Sequence, residues 1–320
     1  MAVFKAADLI KRMRKQKRMS QEELAYSIVD RATLSKIENG KSESSMEIIM
    51  QLLEKLGYEP EVTVDFYLTE EQTGAMKLKA ELDSYLTYQI KGDDNPAIKK
   101  IDELIKQLEN DEQFMQFTRN KQYILISKSC NLINQRWMNE DVRKPLYEAI
   151  KFNIPFFDES CIEEYFLTKN DMKILNLLAI QYAGEGFDRY DDAMLDRAIQ
   201  ILVGMKKNMD THFMDIILKS DYYPQICYNL ASYLNEGKNL PEDALFYCDE
   251  GIKSCHETSN AKMLPGLSLA KAMALFNLER KDEALSLATM AYYSAKLQKL
   301  DNLTNAVKGY LENVMGVKIN

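Results

Sequence analysis

The chain has 320 residues, of which 46% are hydrophobic and 28% charged, with only 12 Gly and 7 Pro. That is enough apolar material for two or more domains, and long apolar runs at helical spacing with few breakers exclude a sheet-rich fold, so an all-α protein is expected. Net charge is −8, but residues 1–41 carry ten Lys/Arg against five Asp/Glu, a net of +5 that leaves −13 for the rest; one end suits a polyanion and the larger part does not.

In chain order, Leu9, Ile10 and Met13 form a helical stripe with Lys11, Arg12, Arg14, Lys15, Lys17 and Arg18 around it, and Met19 ends that helix. Ser20 is placed to cap a second helix, with Glu23 answering it in a capping box. Leu24, Ala25 and Ile28 give this helix its buried face. Asp30 is the next N-cap. In the helix it opens, Leu34 and Ile37 point inward while Arg31, Ala32, Ser35 and Lys36 point outward together. Asn39-Gly40 closes the helix, with Gly supplying the left-handed residue. A further stripe, Ile48, Ile49, Leu52, Leu53 and Leu56, stops at Gly57.

The runs Ser20–Ala25 and Thr33–Lys41 resemble the Cro/C1-type (Xre-like) helix-turn-helix family over roughly residues 5–58. One departure is the turn Ile28-Val29-Asp30, one residue short and without the family's usual Gly. The resemblance implies that the third helix lies in the major groove of double-stranded DNA with its first residues at base edges. Arg31, beside Ala32, is then placed for a bidentate pair with guanine, worth roughly 1–3 kcal/mol of discrimination. Ser35 and Lys36 lie one turn further on. Gln21, Thr33, Asn39 and Lys41 suit contacts to the DNA backbone, which fix register without reading sequence.

From Gly57 the chain breaks: Pro60, a short β-prone run, then a capping box at Thr69 and Gln72 opening a helix that runs to about Ile90, before Gly92–Pro96. The domain limits read as 1–58 for the helix-turn-helix domain, 59–95 for a linker and linker helix, and 96–320 for a repeat domain that binds a ligand and dimerises. In the last region a small residue deep in one helix recurs with an Ala in the next: Ala231 with Ala244, Ala272 with Ala284, Ala179 with Ala198, and more weakly Ser129 with Ala149. Such residues let helices approach closely, and stacked pairs bury one continuous core. Leu303–Val317 caps the last pair.

These units resemble tetratricopeptide repeats lacking most Gly and Pro markers, which implies a right-handed α-solenoid whose concave face holds extended peptides. An Asn amide offers a donor and an acceptor at one point, matching a peptide group. Asn176 and Asn229 precede the small packing residues on that basis, and Lys173, Gln225, Met273, Phe276, Asn277 and Asn134 follow from the same spacing.

An enzyme is not expected. His212 and His256 are the only histidines, and there is no Gly-rich phosphate loop, H-E-x-x-H or nucleophile elbow. Asp191-Asp192 and Glu163-Glu164 read as a helix cap and a solvated face. No catalytic residue, metal site or cofactor is expected. Cys130, Cys161, Cys227, Cys248 and Cys255 form no C-x-x-C pair, as in a reduced, cytoplasmic protein. No 18-residue apolar segment exists and the basic residues of the N-terminus follow its apolar ones, so no membrane partner is expected.

An Xre-like domain joined to degenerate repeats resembles the Rgg/PlcR-like (RNPP) regulators of Gram-positive bacteria. The resemblance implies a homodimeric transcription factor controlled by a short signalling peptide, presenting two third helices to half-sites about one DNA turn apart. The alternative is a phage- or plasmid-type regulator whose repeats bind a protein partner. Peptide, operator and sign of regulation are not readable.

Overall fold

The structure is a computed structural model that describes residues 6–41, 44–57, 70–87, 96–135, 139–212 and 216–319. The β-prone run, the Thr69 cap and the break before Pro96 lie outside them. Every regular element among the described residues is helical. The first four helices are α1 (Ala6–Gln16), α2 (Gln21–Ala25), α3 (Arg31–Glu38) and α4 (Met46–Lys55); α5 (Glu70–Thr87), α6 (Pro96–Glu109), the short α7 (Glu112–Met115), α8 (Thr118–Asn134) and α9 (Glu140–Lys151) follow. The rest are α10 (Lys169–Arg189), α11 (Asp192–Thr211), α12 (Ile216–Ser232), α13 (Pro241–Glu257), α14 (Leu264–Asn277), α15 (Lys281–Leu297) and α16 (Asp301–Asn313). The chain divides into two compact units, Met1–Glu185 and Gly186–Asn320.

In the first unit the helix ends follow local chemistry. Ser20 Oγ accepts from Glu23 N at 3.1 Å while Glu23 Oε2 accepts from Ser20 N at 2.6 Å, completing the capping box. Asp30 Oδ1 accepts from Thr33 N at 2.8 Å and so caps α3. Gly40, at φ 64°, closes α3, with Lys41 N reaching back to Lys36 O. Ile10, Leu24, Leu34, Leu52 and Leu56 are fully buried together.

Three expectations change. The first helix ends at Gln16 rather than at Met19, because Arg18 turns left-handed (φ 55°) and tucks Met19 into the core. The second ends at Ala25, and Ile28 packs on the core from the turn, not from the helix. The reversal is made by Ser27 at φ 64°, upstream of Ile28-Val29-Asp30 where the missing Gly was sought. Within the basic run, Arg14 is turned inward. Its guanidinium is bidentate on Glu38, Nε–Oε1 2.6 Å and Nη2–Oε2 2.9 Å, with Nη1 donating to Met19 O and Gln21 Nε2 donating to the same carboxylate. Burial pushes the Glu38 carboxyl up, but the bonds from Arg14 and Gln21 outweigh it and hold it below its ordinary value.

Beyond the helix-turn-helix, Leu82 of α5, Ile101, Leu104 and Leu108 of α6, and Tyr123 and Ile124 of α8 share one core. The α8–α9 pair closes with Ser129 and Ala149 both fully buried, and Ser129 Oγ donates to Val142 O at 3.0 Å. In the second unit α12 packs on α13, α13 on α14, α14 on α15 and α15 on α16. Every small residue picked out there is buried: Ala198, Ala231, Ala244, Ala272 and Ala284, each 1% exposed or less. Gly251 belongs to the same seam, where an added Cβ would lie 2.7 Å from Leu267 Cδ2 and 2.9 Å from Cys227 Cβ. The helices there end on left-handed residues that are not glycine: Asn239, Ser259, Glu279 and Lys299, at twenty-residue intervals, with φ of 53–60°. Bonds such as Arg280 N to Leu275 O and Leu300 N to Ala295 O close these turns. Leu303, Val307, Tyr310 and Leu311 of α16 pack on α14 and α15 at the end of the array. No described helix is long and apolar enough to cross a membrane.

Removing Glu38 strands a mostly buried guanidinium, so Glu38→Ala should cost about 3 kcal/mol in urea unfolding, and wild type should lose that margin on acidification below the ordinary glutamate range. Lys55, 7% exposed, has its ammonium held down at about 8 by burial, partly offset by Asp171 and Glu23. Its folded pKa lies below the unfolded value of 10.5, so the folded state binds fewer protons and this group's contribution rises with pH between them. Measured against Lys55→Met, wild type should gain on the order of 1–2 kcal/mol between pH 8 and pH 10.

Candidate functional site

The outward face of α3 is built by its two ends and its buried stripe. With Leu34 and Ile37 in the core, Arg31, Ala32 and Lys36 are left exposed and Ser35 half-exposed. Arg31, Lys36 and Lys41 make no side-chain hydrogen bond or ion pair among the described residues, so their charges remain available. Arg31 opens the helix, where the free N–H groups add partial positive charge. It shares a shallow concavity with Arg14, Ser20, Gln21 and Glu22.

The residues chosen for DNA-backbone contacts are more engaged. Thr33 Oγ1 donates to Asp30 Oδ2 at 2.7 Å. Asn39 accepts from Lys11 Nζ at 2.9 Å and donates to Ser35 O at 2.8 Å. Gln21 spends one amide proton on Glu38. These side chains are pre-oriented, with part of their hydrogen-bonding capacity already used. Arg14 and Glu38, which orient α3 against α1 and α2, went unrecognised in the sequence. Their signal was spacing: Arg14 falls four residues after buried Ile10, and Glu38 four after buried Leu34, so both lie on inward faces and need each other.

The residues proposed for a peptide divide between the units. In the first, Asn176 is buried at 6% exposure, Lys173 on the same helix is half-buried, and Asn134 Nδ2 is buried with no hydrogen-bond partner among the described residues. In the second, Asn229 is buried at 8% and Gln225, one turn earlier on α12, is half-buried. Asn229 and Asn176 therefore lie deeper than an open face requires, and each already interacts with neighbours. Met273 packs into the last core cluster, and Phe276 meets Tyr310 edge-on with centroids 6.3 Å apart. Asn277 is exposed and donates to Asn235 Oδ1 at 3.0 Å, joining the end of α14 to the π-helical stretch Tyr233–Gly237 that extends α12. Asn235, 5% exposed, was not singled out in the sequence because nothing there shows that the helix continues past Ser232 with a wider turn. Cys227, Cys248 and Cys255 are buried, and burial pushes the first two thiols up to about 12. No three His, Cys, Asp or Glu among the described residues gather as a metal site.

Residues 10–62 match the helix-turn-helix family. No curated protein sequence matches the chain. Among solved structures, Bacillus thuringiensis PlcR in complex with the peptide PapR7 and DNA is similar with a TM-score of 0.58 at 16% identity, over 95% of this chain and 98% of that one. ComR from S. thermophilus, in complex with DNA and its signalling peptide, gives 0.49 at 17% identity over 95% and 97%. The Streptococcus dysgalactiae SHP pheromone receptor Rgg2 gives 0.49 at 13% over 95% and 97%. At such identities the likeness to PlcR is one of fold. The chain thus carries an Xre-type DNA-binding helix-turn-helix domain, joined to a helical repeat region in the same overall fold as PlcR.

Proposed function

We propose that the chain is a homodimeric, sequence-specific transcriptional regulator whose repeat region binds a short signalling peptide. The observation that carries the DNA part is the α3 face: Arg31, Ala32 and Lys36 exposed together, the cations unpaired among the described residues, on a helix held rigidly from behind by Glu38. An unpaired guanidinium at the start of a groove-reading helix can form the bidentate pair with guanine. Two copies are needed because one short helix reads only a few base pairs. The peptide part is supported by the PlcR fold and by Asn134, whose buried Nδ2 lacks an acceptor among the described residues, one that a peptide carbonyl would supply. A peptide alters DNA binding only if it prefers one arrangement of the protein.

The deciding experiment is calorimetric titration with small peptides encoded beside the gene, followed by DNA binding with and without the best binder. On a selected operator, Arg31→Ala should weaken binding roughly 5- to 100-fold while leaving random-sequence DNA nearly unaffected; equal loss on both would reassign Arg31 to the phosphate chain. Asn134→Ala should weaken the peptide by about fivefold and leave the DNA affinity of peptide-free protein unchanged. An identical peptide titration in that variant would remove Asn134 from the site.

A further inference from the structure

The turn between α2 and α3 is held by more than its own domain. Tyr26 O accepts from Lys55 Nζ of α4 at 2.9 Å. The next carbonyl, that of left-handed Ser27, accepts from Thr118 Oγ1, the first residue of α8, at 3.0 Å. Arg119 beside it lies between two carboxylates of α4, Nη2 to Glu47 at 3.5 Å and Nη1 to Glu54 at 3.4 Å. Phe166, from the segment leading into α10, packs against the helix-turn-helix core itself. A small cavity of about 40 Å³ remains between these groups, lined by Ser27, Lys55, Thr118, Gln122 and Asn170 among others, with room for a few waters.

The far side of this contact is rigid. Asp171, fully buried at the start of α10, accepts from Gln122 Nε2 at 2.8 Å, Asn153 Nδ2 at 2.6 Å, and Thr168 N and Oγ1 at 2.9 and 2.7 Å. Asn170 in turn donates to Gln122 Oε1 at 3.0 Å. Gln122 sits one turn above Thr118, so the first turn of α8 is pinned by α9 and α10. Arg31, Ala32 and Lys36 stay exposed throughout, so this contact does not cover the reading face.

From this geometry we infer that Thr118, Arg119 and Phe166 are positioning residues for DNA recognition: they clasp the turn from behind and fix the angle at which α3 is presented relative to α8–α10. The inference rests on the DNA-binding reading above. With the clasp in place α3 is carried rigidly by the first helix pair, and a dimer of such units has one preferred half-site separation. Without it the helix-turn-helix unit swings and the preference broadens.

The test uses the full chain. Wild type, Thr118→Val, Thr118→Ser and the double variant Thr118→Val/Arg119→Gln are compared by hydrogen exchange at the amides of residues 26–30. Each is also measured on operators, selected by wild type from random DNA, whose half-site spacing is varied by one and two base pairs. Exchange in the double variant should rise about tenfold, its spacing preference should flatten, and exchange in α12–α15 should stay as in wild type. Thr118→Ser, which keeps the hydroxyl, should behave as wild type while Thr118→Val moves towards the double variant. Unchanged exchange and spacing in the double variant, or equal losses in Thr118→Ser and Thr118→Val, would overturn the positioning role. If wild type selects no DNA, the DNA-binding reading fails and takes this role with it; if it does and only the spacing profile is unmoved, the positioning role alone falls.

Discussion

The buried bidentate pair of Arg14 and Glu38 is the constraint on which the reading face depends. A carboxylate 2% exposed cannot stand alone in a core, so Glu38 requires the guanidinium, and the planar fork of Arg14 fixes α3 against α1 in angle as well as distance. Gln21 joins the same carboxylate and thereby ties α2 to the set. Hydrophobic packing around Ile10, Leu24 and Leu34 supplies stability but tolerates small rotations. The polar pair removes that tolerance. The outward cations of α3 owe their shared direction to an ion pair on the opposite side of the helix.

A second buried carboxylate plays the corresponding part behind the domain. Among the described residues no cation hydrogen-bonds Asp171, which is satisfied by amides, a hydroxyl and a backbone N–H. Burial pushes its carboxyl up, with the bonds from Thr168, Asn153 and Gln122 acting against that push. Four donors converging on one side chain from three segments tie the junction of α8, α9 and α10 together. Whatever angle α8 presents to the helix-turn-helix is set there.

How far the sequence spoke depended on whether the physics was local. Capping by Ser20 and Asp30, closure at Gly40 and the small residues of the helix seams were all readable, because a cap needs only its own next three residues and a close helix approach only a missing side chain. The turn was misplaced because Ser27 adopts a conformation usually read from Gly. Arg14 went unrecognised because a run of cations hides the one that faces inward. Asn176 and Asn229 were set on an open face by spacing from their packing partners, yet spacing gives direction around a helix and says nothing of how much of the neighbouring helix overhangs it. The Thr118–Ser27 contact joins residues 91 positions apart and had no sequence signal at all.

The left-handed residues Asn239, Ser259, Glu279 and Lys299 give the second unit an unusual genetic property. Their reversals are secured by backbone bonding, at a conformational cost of roughly 1 kcal/mol apiece, so most unbranched side chains other than Pro can stand there. Length is another matter. One residue added within a helix turns everything after it by about 100°, which would swing Ala284 out of its seam and bring a bulky neighbour in. The array is a ruler whose marks can be rewritten within limits but not moved: unbranched substitutions at the reversals should be mild where single-codon insertions between them are ruinous.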